Sequence, residues 1–144
     1  MMEITQMQLD ALREIGNIGS GHAATALSTM LNRRIEMSIP EVRIIEFEKA
    51  PTVIGHLEVP QAVVYVKVEG EAPGKAVFFF PLESAEILVQ VLFGTSDSFN
   101  LFENEMAQSA LKEVGNILVS SFLIALTNFS GIPFQPSVPA LAVD

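Results

Sequence analysis

The heptapeptide Leu12-Arg13-Glu14-Ile15-Gly16-Asn17-Ile18 returns later in the chain as Leu111-Lys112-Glu113-Val114-Gly115-Asn116-Ile117. Glu113 lies 99 positions after Glu14, and Asn116 lies 99 after Asn17. At that same offset Met7, Ala11, Leu12, Gly16, Ile18, Ala26, Leu27, Ser38 and Pro40 also recur unchanged, which makes eleven identities without a gap. Arg13/Lys112 and Ile15/Val114 differ but keep their chemistry. Chance is a poor explanation for one ungapped register, and self-similarity at a fixed period marks a duplicated unit.

Each copy sits in a helical pattern. Thr5-Gln6-Met7-Gln8 has the form of a capping box, and after it Leu12, Ile15, Ile18, Ala23, Leu27 and Leu31 recur near the helical period. This predicts a long helix over about 6–32, and its counterpart over about 104–129. Downstream of the first helix, Ile35, Met37 and Ile39 alternate with polar residues until Pro40, and Val42 to Phe47 resumes the pattern. The expectation is an edge strand broken at the proline. Gln61–Glu69 and Ala76–Phe80 are rich in β-branched and aromatic residues and flank the turn-forming Glu71-Ala72-Pro73-Gly74, so they predict a hairpin. Phe78, Phe79 and Phe80 are expected in the strand core and the methionines as core filler. Leu82 to Phe93 predicts a short amphipathic helix closed by Gly94.

The 144 residues (15.6 kDa) suit a single domain, 1–144, with one repeat over about 5–94 and a second over about 104–144. Carrying a unit that ends near Gly94 forward by 99 reaches position 193, so the second half is expected to be incomplete and the chain a truncated segment. Hydrophobic residues make up 49% and charged residues 17%, at a mean hydropathy of +0.41, which excludes a disordered chain. The most apolar run, Ile117 to Phe129, is interrupted by Ser120, Ser121, Thr127 and Asn128, short of the roughly 20 apolar residues that a membrane span requires. Seventeen acids against eight bases give a net charge of −9, a poor match to a phosphate backbone, so no nucleic-acid partner is expected. There is no cysteine, which removes disulfides, thiol catalysis and cysteine metal sites. The N-terminus has no secretory pattern, and the expected location is the cytoplasm.

Asp10, Glu14 and Asn17 are spaced four and three apart, on one helical face, and Ser109, Glu113 and Asn116 repeat that arrangement. A side-chain amide can hold a water by donating and accepting at once, and a carboxylate beside it can pair with a partner's lysine. Two solvated faces are the ordinary reading of such trios, but solvation does not require the same residues twice. Gly19-Ser20-Gly21-His22-Ala23-Ala24 fits a loose dinucleotide-binding pattern, yet a helical stretch precedes it where a strand is needed, so helix packing is the expected role of these glycines. His22 and His56 have no companion at ligand spacing, and no metal or cofactor of the chain's own is expected.

The pattern D/S-x-x-x-E-x-x-N followed by Pro after 22 intervening residues occurs as Asp10, Glu14, Asn17, Pro40 and again as Ser109, Glu113, Asn116, Pro139. It resembles the signature of the CheC family of chemotaxis phosphatases, which includes CheX and the flagellar switch protein FliY. LREIGNIGSGHAATAL and SALKEVGNILVSS resemble it too, and the resemblance covers essentially the whole chain. It implies an α/β (α+β-like) fold of pseudo-twofold form, with two long motif-bearing helices on a β-sheet. It implies hydrolysis of the aspartyl phosphate of a phosphorylated CheY-type receiver. Asn17 and Asn116 would orient the attacking water, and Glu14 and Glu113 would pair with the partner's active-site lysine. Asp10 and Ser109 would support, Pro40 and Pro139 would be structural, and Mg2+ would belong to the receiver. Two other roles are consistent with the same helices: a FliY-like module that binds phosphorylated CheY at the motor, or a regulator of the deamidase CheD with little turnover.

Overall fold

A computed structural model of the protein describes residues 3–37, 42–50, 60–98 and 100–143. The first helix, α1 (Gln6–Leu31), starts where Thr5 and Gln8 satisfy each other's amides: Gln8 N donates to Thr5 Oγ1 at 3.1 Å and Thr5 N to Gln8 Oε1 at 3.0 Å. It stops at Asn32, whose left-handed backbone (φ 52°) turns its N–H back to the Ser28 carbonyl. The last helix, α3 (Glu105–Ser130), is capped by Asn104 Oδ1, which accepts from Ala107 N at 2.9 Å, and is ended by Gly131 at φ 75°. Both helices have 26 residues, and their first and last residues are each 99 apart.

Between them lie strands β1 (Gln61–Gly70) and β2 (Gly74–Pro81), an antiparallel hairpin in the register Gln61↔Pro81 to Val68↔Gly74. Helix α2 (Leu82–Phe93) follows β2 directly and is capped by Gly94 at φ 65°. After α3, strands β3 (Phe134–Pro136) and β4 (Ala140–Val143) share the remaining edge of β1, so the four-stranded sheet is antiparallel throughout with β1 at its centre. Ala62, Val64, Val66 and Val68 of β1 are buried on the helix side, while Lys67 and Glu69 are exposed. This is the period-two pattern of a sheet covered on one face.

Helix α3 is the centre of the core. Ala107 and Leu111 pack with Ala62 of β1, Ala85 and Val89 of α2, and Leu101. Val114 and Leu118 pack with Ala23 and Leu27 of α1. Gly19 of α1 lies so close to Phe122 that an added Cβ would stand 2.5 Å from the ring. Residue numbers in α1 therefore rise as those in α3 fall, and the two motif helices are antiparallel. Gly115 is pressed against Val64 in the same way, and any side chain there would collide with the strand. Among the described residues α3 alone is long and apolar enough, by length and composition, to cross a membrane, and eight of its residues are buried within the fold.

Four expectations need correction. Ile35–Met37 and Val42–Glu46 form no strand, and Phe47–Lys49 is a 3-10 turn. Both edges of β1 are already filled by β2, β3 and β4. The alternation of Ile35 and Met37 instead packs them on the α1–α3 cluster, while Ile35 N donates to Ser28 Oγ at 2.9 Å. Phe79 is 39% exposed although Phe78 and Phe80 pack inward, because strand alternation sends it to the uncovered face. Met7 and Met106 are exposed rather than core filler. Of the clustered glycines, Gly19 does pack closely, but Gly21 has no neighbouring atom within 4 Å of an added Cβ.

Candidate functional site

The trio on α1 is open to solvent: Asp10, Glu14 and Asn17 are all exposed. Asp10 Oδ1 accepts from Gln6 Nε2 at 2.9 Å, and the Asn17 carbonyl accepts from Ser20 Oγ at 3.0 Å. Among the described residues, neither the Glu14 carboxylate nor the Asn17 amide has a hydrogen-bonding partner of its own. Pro40 and residues 38–41 lie outside the described residues, as does His56.

The trio on α3 has walls. Ser109, Lys112, Glu113 and Asn116 form one side of a groove of about 480 Å3, and Pro136, Ser137, Val138 and Pro139 form the other. The second wall is a β-bulge. Val68 pairs with Pro136 and Tyr65 with Ala140, so two residues of β1 (Val66, Lys67) face three (Ser137, Val138, Pro139). Ser137 anchors the bulge: its N–H donates to the Lys67 carbonyl at 2.8 Å, and its Oγ accepts from Lys67 N at 2.9 Å. Val138 is thereby pushed outward and is 89% exposed. Glu113 is exposed and Asn116 half-buried. Gly115, between them, lets this stretch of α3 lie directly on β1.

The fold does not merge the two trios. With Gly19 opposite Phe122, Asn17 stands level with about residue 124, eight residues from Asn116. That is a separation of roughly 12 Å along the helix axis, and roughly 21 Å for the two glutamates. Each trio is a candidate site by itself, carried on its own 26-residue helix. Among the described residues, no group of three or more histidines or carboxylates is placed to hold a metal ion. The wall residues Lys112, Pro136, Ser137 and Val138 are not apparent from the trio spacing. The signal that could have found them is the second short match of the repeat, Ser38-Ile39-Pro40 against Ser137-Val138-Pro139.

Comparison with known proteins gives the same duplication. The CheC-like family model matches residues 7–44 and 106–143, two stretches 99 apart. The chain is 38% identical over 143 residues to the CheY-P phosphatase CheC of Bacillus subtilis (strain 168), an alignment that covers 98% of this chain and 68% of that protein. Among solved structures, Thermotoga maritima FliY superposes with a TM-score of 0.83 at 28% identity, over 99% of this chain and 71% of that one. The CheX–CheY complex with BeF3 and Mg2+ from Borrelia burgdorferi superposes with a TM-score of 0.57 at 25% identity, over 85% of this chain and 73% of that one. With a family model on both motif helices and a 38% identical relative aligned over 98% of the present sequence, the chain belongs to the CheC-like family.

Proposed function

We propose that this protein is a phosphatase that hydrolyses the aspartyl phosphate of a phosphorylated CheY-type receiver, at two separate sites. The observation that carries this reading is a doubled Glu/Asn couple, Glu14/Asn17 exposed on α1 and exposed Glu113 with half-buried Asn116 lining the α3 groove, without side-chain partners in their own fold among the described residues. Hydration alone accounts for one such exposed pair, but it does not require the same Glu and Asn at the same place on both helices. The similarity to the B. subtilis CheY-P phosphatase supports the reaction class, and the B. burgdorferi complex supports a CheY-type partner for proteins of this fold.

The chemistry is economical. A water oxygen attacks phosphorus, the bond from phosphorus to the receiver's aspartate oxygen breaks, and the products are the free carboxylate and inorganic phosphate, with the water's proton passing to phosphate or solvent. Phosphoryl transfer of this kind is mainly positioning and charge stabilisation. The receiver's Mg2+ supplies the charge stabilisation. The side-chain carbonyl of Asn17 or Asn116 accepts a hydrogen bond from one O–H of the water and directs its oxygen toward phosphorus. Glu14 or Glu113, one helical turn earlier, pairs with a lysine of the receiver and fixes the angle of docking. Asp10 and Ser109 line the same face, and Pro139 closes the groove wall beside Asn116. The reaction takes place in the cytoplasm.

The test is phosphate release from a phosphorylated CheY receiver at fixed Mg2+, comparing the parent with Asn17→Ala/Asn116→Ala. Acceleration by the parent and its loss in the folded double variant are expected. A folded parent that leaves the receiver's own decay rate unaltered would refute the phosphatase reading. A second reading is favoured by the superposition on FliY: a switch module that binds phosphorylated CheY. Tight receiver binding without release would select it, and CheD binding without release would indicate a deamidase regulator instead.

A further inference from the structure

Five of the eleven residues kept identical between the two halves are accounted for by packing. Ala11, Leu12, Gly16, Ala26, Leu27 and their counterparts are buried or half-buried. Among identities described in both copies, two remain exposed in both: Glu14/Glu113 and Met7/Met106. Met7 and Met106 are among the most exposed large apolar side chains of the described residues, at 81% and 72%. A single exposed apolar residue needs no explanation. The same one kept twice, at the same place beside the same site, does.

Their place is specific. Met7 precedes Glu14 by seven residues, as Met106 precedes Glu113. Seven residues return to within about 20° of the same direction, so Met, Asp/Ser, Glu and Asn lie in an arc of about 80° on each helix. The methionine is then roughly 10 Å from the glutamate along the axis. That is well inside the footprint of an ordinary protein interface, about 800 Å2 on each side. Methionine is unbranched and polarisable, and it fits apolar or aromatic surfaces of varied shape.

We propose that Met7 and Met106 are apolar anchors that seat the receiver domain on each site, covering an apolar patch about 15 Å along the helix from the asparagine that faces its phosphoaspartate. This rests on the phosphatase reading and assigns to it two positioning residues that contribute to binding rather than to the chemical step. The test uses single-site backgrounds. In Asn17→Ala, turnover runs through the α3 site, and Met106→Glu is expected to raise KM for the phosphorylated receiver about tenfold with kcat held within about twofold. Met7→Glu should have the smaller effect there, and the ranking should reverse in Asn116→Ala. Met→Leu should restore KM in each case. Kd for a CheY receiver loaded with BeF3 and Mg2+ should rise in parallel, so the anchors are tested even where turnover is slow. Because both positions are largely exposed, these variants are expected to fold, and circular dichroism checks it.

Glutamate variants that match the parent in KM and Kd, in both backgrounds, would overturn the anchors and leave the phosphatase standing. A fall in kcat alone would also overturn them. A parent that neither binds nor dephosphorylates the receiver would overturn both.

Discussion

Gly115 is where fold and candidate site meet, and replacing it with alanine gives a signed prediction. In a helix interior, alanine is favoured over glycine by roughly 0.5–1 kcal/mol, so propensity alone predicts stabilisation. Space predicts the opposite. The added Cβ would run into Val64, whose side chain is fully buried in the centre of β1 and has nowhere to turn. Inserting a methyl into a filled core costs about 1–3 kcal/mol. Steric cost therefore exceeds the helical gain, and Gly115→Ala should lose about 1–2 kcal/mol. For a chain of this length each kcal/mol moves Tm by roughly 2–4 °C. The control is Gly21→Ala, in the antiparallel partner helix, where nothing lies within 4 Å of the new Cβ and only the helical gain remains. Thermal unfolding followed by circular dichroism should thus move in opposite directions for the two variants. If Gly115→Ala is as stable as the parent, the close contact of α3 with β1 is wrong. The wall-to-helix geometry of the α3 groove is then wrong with it.

Ser137→Ala removes the acceptor for Lys67 N and should cost about 1 kcal/mol. With the bulge loosened, it should also lower phosphate release in the Asn17→Ala background more than in the Asn116→Ala background. Thr5→Ala breaks the capping box and should cost about 1 kcal/mol, read as a lower denaturant midpoint with an unchanged m-value. Amide exchange should show the loosening concentrated in the first turn of α1, around Met7.

The helices, hairpin and caps are legible in the sequence because local chemistry fixes them. Thr5 and Gln8 announce the start of α1, Gly94 ends α2, and the strand period of Gln61–Gly70 is unbroken. Ile35–Met37 misleads because apolar alternation records burial, and here the burial is against helices rather than within a sheet. Local pattern carries no information about whether an edge of β1 is free. The trios are legible through their doubling, whereas the groove wall is not. It depends on the pairing of β3 and β4 with one strand some seventy residues earlier, and on the extra residue left between them. Met7 and Met106 are misread for a related reason: composition marks methionine as apolar, and only the packing shows that nothing covers these two.

The antiparallel pairing of α1 and α3 also fixes how the two trios face. Glu14 is nine residues from Ala23, which turns it about 180° from that buried residue, and Glu113 is likewise about 180° from Phe122. On each helix the glutamate therefore points away from the other helix, and two antiparallel helices that face each other hold their outer faces in opposed directions. A single composite site, with both asparagines on one water, would need the two faces to converge, which this packing forbids. Packing also limits how far either site can drift without the other. Gly19 against Phe122 and Gly115 against Val64 leave no slack along α3, so moving one trio shifts the helix that carries the second. Duplication thus gives two outward trios on one shared core, tied through the helix contact that positions both.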